Sequence, residues 1–146
     1  VGSAGALQDS LDIGDLVVAA GSSYFTRYLD QFGTPGIFSP VADFDLAVRA
    51  VSAAREKGFR CVAGNLLSSD TFYDDDPDFL KKWQRMGILA VEMEAAALYA
   101  NAARAGKKAL ALLTISDCPF KGTATTAEQR QSSFTAMVET ALELID

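Results

Sequence analysis

The sequence contains no histidine and only two cysteines, Cys61 and Cys118. Without histidine, the chain cannot assemble a Ser-His-Asp or Cys-His catalytic group from its own residues. Two cysteines alone cannot complete a zinc site, and they are too few for a disulfide scaffold in a chain of this size. We therefore predict a reduced, cytoplasmic protein that holds no metal.

Positive charge is also scarce. The chain has 13 Lys and Arg residues against 19 Asp and Glu residues, a formal net charge of −6. The absence of a basic patch argues against nucleic acid and anionic membrane as partners. No apolar run reaches the roughly 18 residues that a membrane span requires, and no signal peptide is visible.

Apolar residues, in contrast, make up 49% of the 146 residues, which is enough for one domain with a core. Strand-like and helix-like segments alternate, and this predicts a single α/β domain over residues 1–146 with a central mixed, largely parallel sheet flanked by helices. The first five residues and residues 21–41 are predicted to be loops. Strands are predicted at 13–20, 59–67, 88–91 and 108–116, and helices at about 43–57, 77–86, 94–105 and from 125 onwards.

Two of these helices have predicted start signals and apolar faces. Asp43 is expected to cap the first helix, with Phe44, Val48 and Val51 on its buried face. A capping box at residues 125–128 is expected to open the last helix. The predicted buried face of that last helix comprises Phe134, Met137, Val138, Ala141, Leu142 and Ile145.

Acidic residues stand where two of the apolar runs end. The run at residues 88–91 is followed by Glu92, Met93 and Glu94, and the run at 109–115 is followed by Ser116 and Asp117. Ligands of open α/β sheets bind at the carboxyl ends of the strands, so these acids predict a small-molecule site. Carboxylates can grip sugar hydroxyls, or serve as general acids at the mouth of an apolar pocket. Each acid could instead cap a turn or a helix.

Three further residues are candidates for the same site. Ser3 lies in the string Gly-Ser-Ala-Gly, in which small residues let backbone N–H groups approach an anion closely. Phe72 lies in a polar loop, where it could anchor the loop or stack on a flat base. Arg130 could pair with Asp117 or remain a surface arginine.

Taken together, the motifs resemble those of the bacterial, hexameric-type purine nucleoside phosphorylases. The resemblance runs through the whole chain in order, and the Val-Glu-Met-Glu-Ala-Ala string with a later Ser-Asp is typical of the wider family of nucleoside phosphorylases and nucleosidases. The matching segments are residues 2–6, 42–45, 64–66, 72–73, 87–96, 116–117 and 125–131.

The resemblance implies reversible phosphorolysis of purine nucleosides or deoxynucleosides, with phosphate as co-substrate and no metal or organic cofactor. It implies a homohexamer arranged as a trimer of dimers. Asp117 would be the general acid at purine N7, oriented by Ser116 and paired with Arg130. The remaining implied roles are phosphate binding by Ser3, sugar binding by Met93 and Glu94 with Glu92 nearby, and base binding by Phe72, Val91 and the Ala4-Gly5 backbone.

The sequence also departs from this family. Family subunits have a further stretch before the position of Val1, which supplies the first strands, a glycine loop and arginines for phosphate. Without those strands, the sheet is expected to have exposed edges. A histidine and an arginine would come from a neighbouring subunit, and Ser3 cannot balance a phosphate dianion alone.

Three alternative functions stay open at this level. A nucleosidase acting on methylthioadenosine or adenosylhomocysteine would use the same elements with water as the nucleophile. A uridine phosphorylase is suggested by residues 68–73, although the family's pyrimidine-reading segment is missing before Trp83. A non-catalytic nucleoside-binding module on the same fold is the third, since fold and function are separable.

Overall fold

The computed structural model describes residues 1–72, 74–132 and 134–145, with the side chains of residues 130–132 left out. Its strands are β1 (Gly2–Ala6), β2 (Leu16–Phe25), β3 (Cys61–Ser69), β4 (Ala90–Glu92), β5 (Leu112–Cys118) and β6 (Thr123–Ala124). Its α-helices are α1 (Phe44–Glu56), α2 (Phe79–Arg85), α3 (Ala95–Arg104), α4 (Ala127–Ser132) and α5 (Thr135–Leu142). Short 3-10 turns lie at Tyr28–Phe32 and Pro119–Lys121.

Five of the strands close into a ring. Their order is β1-β4-β3-β2-β5, and β1 pairs with β5 as well as with β4, while β6 extends β5 outside the ring. The pairs β1–β5, β2–β3 and β3–β4 are parallel, whereas β1–β4, β2–β5 and β5–β6 are antiparallel. The sheet is therefore mixed, as predicted, and most of its paired residues belong to the parallel pairs β1–β5, β2–β3 and β3–β4. The expectation of exposed edges is wrong for these five strands, because they pair with one another in a closed order.

The first strand was predicted as a loop, and the structure corrects this. The segment Gly2–Ala6 has small side chains and little intrinsic strand preference, which is why its sequence does not look like a strand. It becomes a strand because it is paired on both sides, with Ser3 opposite Thr114 of β5 and Gly5 opposite Val91 of β4. Strand β2 likewise continues to Phe25, five residues past its predicted end at 20, because β3 pairs with it throughout.

Alternate residues of the strands pack into two different hydrophobic clusters. Val17, Leu113 and Ile115 belong to a cluster that also contains Ala4 of β1 and Tyr99 of α3. Their neighbours along the chain belong to a second cluster beneath α1 and α5, whose buried members are Leu16, Val18, Ala50, Ala54, Leu112 and Met137. This follows from the two-residue period of a strand, which sends successive side chains to opposite faces.

Helix α1 forms as predicted, but it buries a different face. The Asp43 carboxylate caps it by accepting the Leu46 N–H at 3.0 Å. Ala50 and Ala54 are fully buried against the sheet, whereas Phe44 is 77% and Val48 is 49% exposed. The predicted buried stripe is therefore wrong for these two residues, because small alanines allow the closer approach of helix and sheet.

The predicted last helix is two helices, α4 and α5. Its start lies one residue later than predicted, since Thr126 and Gln129 form the reciprocal capping pair, with distances of 2.8 and 3.1 Å. Met137 is buried, but Val138, Leu142 and Ile145 are exposed, so the predicted apolar face is only partly correct. No helix within the described residues has the length and apolar character of a membrane span.

Candidate active site

A cavity of about 890 Å³ opens where β1, β4 and β5 meet the loop between β3 and α2. The loop that follows β5 forms another of its walls. Every predicted site residue with a described side chain lines this cavity: Ser3, Ala4, Gly5, Phe72, Val91, Glu92, Met93, Glu94, Ser116 and Asp117. Residues predicted from separate parts of the sequence are therefore brought together.

Asp117 is held between its neighbour Ser116 and strand β1. The Ser116 hydroxyl donates to Asp117 Oδ1 at 2.7 Å, and it lies 3.4 Å from the Ala4 carbonyl oxygen. The pairing of β1 with β5 shifts register here: Ala4 lies opposite Ile115, and Gly5 lies opposite Asp117. This irregularity brings the half-buried carboxylate beside the backbone of Gly5.

The loop after Asp117 turns back to the same strand. Gly122 ends the Pro119–Lys121 turn with a φ of 65°, which favours glycine. The Thr125 N–H and hydroxyl then donate to the Ser116 carbonyl at 2.8 and 2.9 Å. These bonds place the start of α4 next to the end of β5. Arg130 belongs to α4, but its predicted pairing with Asp117 lies outside the described side chains.

The three residues Glu92, Met93 and Glu94 differ sharply in exposure. Met93 and Glu94 are exposed at the cavity, whereas Glu92 is only 6% exposed. Glu92 Oε2 accepts the backbone N–H groups of Glu94 at 2.8 Å and Ala95 at 2.7 Å, and Ser68 donates to Oε1. Glu92 thus caps the start of α3, where backbone N–H groups lack partners within the helix.

The charges around the cavity are mainly negative. Among its lining residues, Lys81 is the cation, and its Nζ lies 2.8 Å from Asp78 Oδ1. The carboxylates that line the same cavity belong to Asp74, Asp76, Glu92, Glu94 and Asp117. Ser3 is exposed at one edge and offers a hydroxyl. The lining residues therefore suit hydroxyl and N–H donors better than an unaccompanied dianion.

Phe72 and Val91 give the cavity an apolar surface. Phe72 is 74% exposed on the loop after β3, and Val91 is half-buried on β4. An exposed aromatic ring at a cavity can stack on a flat heterocycle. Tyr73, which follows Phe72, lies outside the described residues.

A comparison of the sequence with models of known protein families assigns the chain to a superfamily. The model described as the phosphorylase superfamily matches residues 1–146. The chain belongs to this superfamily.

Relatives within the phosphorylase superfamily are similar along the whole chain. Proteins named "Purine nucleoside phosphorylase DeoD-type" from Thermoanaerobacter sp. (strain X514) and Clostridium novyi (strain NT) are 43% and 39% identical over 100% of this chain. One of the same name from Bacillus cytotoxicus is 43% identical over 98% of it. The resemblance drawn from the motifs is therefore confirmed. The chain spans 63%, 63% and 61% of these three relatives, less than two thirds of their length.

One buried polar residue next to the candidate site, Ser68, is not among the residues predicted from the sequence. It lies behind the cavity wall, is 1% exposed, and contacts Glu92. The available signal was its position, because Ser68 follows the apolar pair Leu66-Leu67 at the end of β3, as the acids follow the other two strands. Within the described residues, no three His, Cys, Asp or Glu side chains are grouped as metal ligands.

Proposed function

We propose that this chain carries the nucleoside-binding site of a purine nucleoside phosphorylase, which converts a purine nucleoside or deoxynucleoside and phosphate into the free base and the sugar 1-phosphate. One observation carries the proposal: the oriented Asp117 carboxylate, the Met93-Glu94 turn and Phe72 line a single cavity. An acid, a hydroxyl-binding group and a stacking surface are what cleavage of a nucleoside requires. The names of the relatives support the same reaction.

In this proposal, each of the predicted site residues contacts one part of the substrate. Met93 and Glu94, with Glu92 beside them, hold the sugar hydroxyls, and Ser3 contacts phosphate. The base lies between Phe72, Val91 and the backbone of Ala4 and Gly5. Asp117, oriented by Ser116 and paired with Arg130, faces N7 of the purine.

The chemistry depends on where charge develops. An oxygen of phosphate forms a bond to the anomeric carbon of the sugar while the bond from that carbon to the base breaks. The bonding electrons move onto the purine, and the sugar acquires oxocarbenium character, as in other glycosyl transfers. Proton transfer from Asp117 to N7 neutralises the departing base, and a positioned acid of this kind contributes about 10²–10⁴-fold. Neither a metal nor an organic cofactor has a step in this scheme.

Phosphate needs more positive charge than the described lining residues offer. Lys81 is the lining cation, and Ser3 contributes a neutral hydroxyl. The proposal therefore assigns charge balance to groups outside this sequence, including a neighbouring subunit. From the same resemblance we infer a homohexamer, a trimer of dimers, that works in the cytoplasm.

The acidic lining gives a specific reason to keep a second candidate, a nucleosidase of the same superfamily. Water carries no charge that must be balanced, so a cavity with one lysine among five carboxylates accepts it more readily than phosphate.

One assay separates these functions. The purified protein is incubated with inosine and with adenosine, each with and without phosphate, and release of the base is measured. Phosphate-dependent release of base and sugar 1-phosphate is expected. Release of the base at the same rate with and without phosphate would contradict the proposal and indicate a nucleosidase. Nucleoside binding without any release would indicate a non-catalytic binding module.

A further inference from the structure

Three buried polar side chains form a continuous hydrogen-bonded row behind the cavity. Ser22, Ser68 and Glu92 lie on the adjacent strands β2, β3 and β4, and their exposures are 3%, 1% and 6%. The hydroxyl oxygens of Ser22 and Ser68 are 2.8 Å apart, and the Ser68 hydroxyl contacts Glu92 Oε1. Ser68 and Glu92 are direct partners in the pairing of β3 with β4.

The directions of these hydrogen bonds follow from the groups involved. An ionised carboxylate only accepts, so the single proton of Ser68 is donated to Glu92. The Ser68 oxygen then accepts the Ala96 N–H at 2.9 Å and lies 2.8 Å from the Ser22 hydroxyl oxygen. The single Ser22 proton has two acceptors within reach, the Ser68 oxygen and the Ser23 carbonyl oxygen at 3.0 Å. The Ser68 proton is therefore committed to Glu92, which defines the part of the row that contacts α3.

This row ends at the residues that face the cavity. Glu92 Oε2 accepts the N–H groups of Glu94 and Ala95, and Ser68 accepts that of Ala96. The first backbone donors of α3 are therefore held by Glu92 and Ser68 together. Within the described residues, the Glu94 side chain makes no capping bond of its own at this helix start. Its carboxylate stays exposed at the cavity, on a backbone that Glu92 fixes.

We propose that Ser68 is a positioning residue for sugar binding: it orients the Glu92 carboxylate, and that carboxylate holds the Met93-Glu94 turn in the geometry that contacts the sugar. The inference rests on the proposed function, because it requires this turn to hold the nucleoside's sugar. Ser68 itself does not line the cavity. Its effect therefore reaches the substrate only through Glu92 and the backbone.

The decisive variant is Ser68→Ala, which leaves Glu92 without its hydroxyl donor and the Ala96 N–H without its acceptor. We expect KM for adenosine to rise about tenfold, the size of one lost hydrogen bond to a charged group. KM for phosphate is expected to change less than about twofold, and so is the affinity for free adenine, which has no sugar. Thr140→Val is the matched control, because it removes another fully buried hydroxyl, one that donates to Ala136 O inside α5.

Two measurements distinguish positioning from general loss of stability. In a double-mutant cycle with Glu92→Gln, the two effects on adenosine KM are expected to be non-additive, because both act through one carboxylate. Hydrogen exchange at the Glu94 and Ala95 amides is expected to accelerate in Ser68→Ala and to stay unchanged in Thr140→Val.

The possible outcomes distinguish failure of this inference from failure of the proposed function on which it rests. A wild-type protein that neither binds nor cleaves nucleosides would overturn the proposed function and this inference with it. A wild-type protein that cleaves adenosine, together with a Ser68→Ala variant of unchanged KM or equal losses for adenosine, adenine and phosphate, would overturn the positioning role alone.

Discussion

Gly5 leaves room for the carboxylate of Asp117. A β-carbon placed on Gly5 would lie 2.8 Å from Asp117 Oδ2, closer than real side-chain carbons approach an oxygen. On its other side, Asp117 accepts a hydrogen bond from Ser116 at 2.7 Å. The Asp117 carboxylate therefore lies between a hydroxyl donor and a stretch of backbone that carries no side chain. Gly5 therefore helps to position the acid, in addition to its proposed contact with the base.

The substitution Gly5→Ala is therefore expected to impair catalysis. The new methyl group must displace the Asp117 carboxylate, because the backbone of β1 is fixed by pairing with β4 and β5. We expect kcat for adenosine to fall about 10²-fold, as for a misplaced catalytic group. Steady-state phosphorolysis measures this directly.

Gly2→Ala in the same strand is the matched control. Its β-carbon would meet only the end of the flexible Leu113 side chain, at 3.3 Å. Equal losses of kcat in the two variants would show that any change in β1 harms the protein, and that closeness to Asp117 is not the cause.

A second prediction concerns the proton itself. Asp117→Asn keeps the size and the hydrogen-bonding shape of the side chain, but an amide cannot deliver a proton to N7. We expect a loss of about 10²–10⁴-fold in kcat, greatest for 6-aminopurine nucleosides such as adenosine. Asp45→Asn makes the same substitution at an exposed position on α1 and should leave turnover unchanged. Unchanged turnover of adenosine by Asp117→Asn would rule out this acid.

The candidate site was largely predictable from sequence because its residues mark the ends of strands. Apolar runs reveal strands without knowledge of their partners, and the acids Glu92 and Asp117 stand where those runs stop. Ligands of α/β sheets bind at the carboxyl ends of the strands, so these acids were expected at one site. In the structure, β1 lies between β4 and β5 and pairs with both. What the pattern could not show is that Glu92 turns into the protein and caps α3, whereas Glu94 stays exposed at the cavity.

The fold was less predictable where pairing or packing decided it. Strand β1 has the small residues of a loop, and only its two partner strands make it a strand. Phe44 and Val48 have helical spacing, yet the sheet accepts the alanine face of α1 because alanines approach more closely. Neither outcome can be predicted from a short window of sequence, because the first depends on the partner strands and the second on the sheet against which the helix packs.

Phe72 gives a third prediction, about the base. Replacing an aromatic platform by alanine loses about 1–3 kcal/mol of base stacking, so Phe72→Ala should raise KM for adenosine at least fivefold. Thermal stability should hardly change, because the side chain is 74% exposed. Phe44→Ala, at a phenylalanine 77% exposed on α1, should alter neither quantity. A Phe72→Ala variant with wild-type KM for adenosine would remove Phe72 from the site.

Tyr99 gives a prediction on stability. Its hydroxyl donates to the Ala19 carbonyl at 2.6 Å and accepts the Ala111 N–H at 3.0 Å, and the side chain is 1% exposed. Tyr99→Phe leaves both buried backbone groups without this partner, at a cost of about 1–3 kcal/mol in the free energy of unfolding. Urea denaturation checks this, with Tyr24→Phe, at a half-buried tyrosine, expected to cost less than about 0.5 kcal/mol. Equal stability of Tyr99→Phe and wild type would contradict it.

The same hydroxyl should make stability fall at high pH. Burial raises the pKa of Tyr99 from 10.0 to about 12, so the native state keeps this proton over a pH range in which the unfolded chain releases it. The stabilising contribution is complete below about pH 10 and is lost as the pH rises towards about 12. Urea denaturation at about pH 9 and about pH 11 should therefore show a larger drop in stability for wild type than for Tyr99→Phe, which lacks the ionising group. If both proteins lose the same amount, Tyr99 ionises as freely in the folded protein as in the unfolded chain.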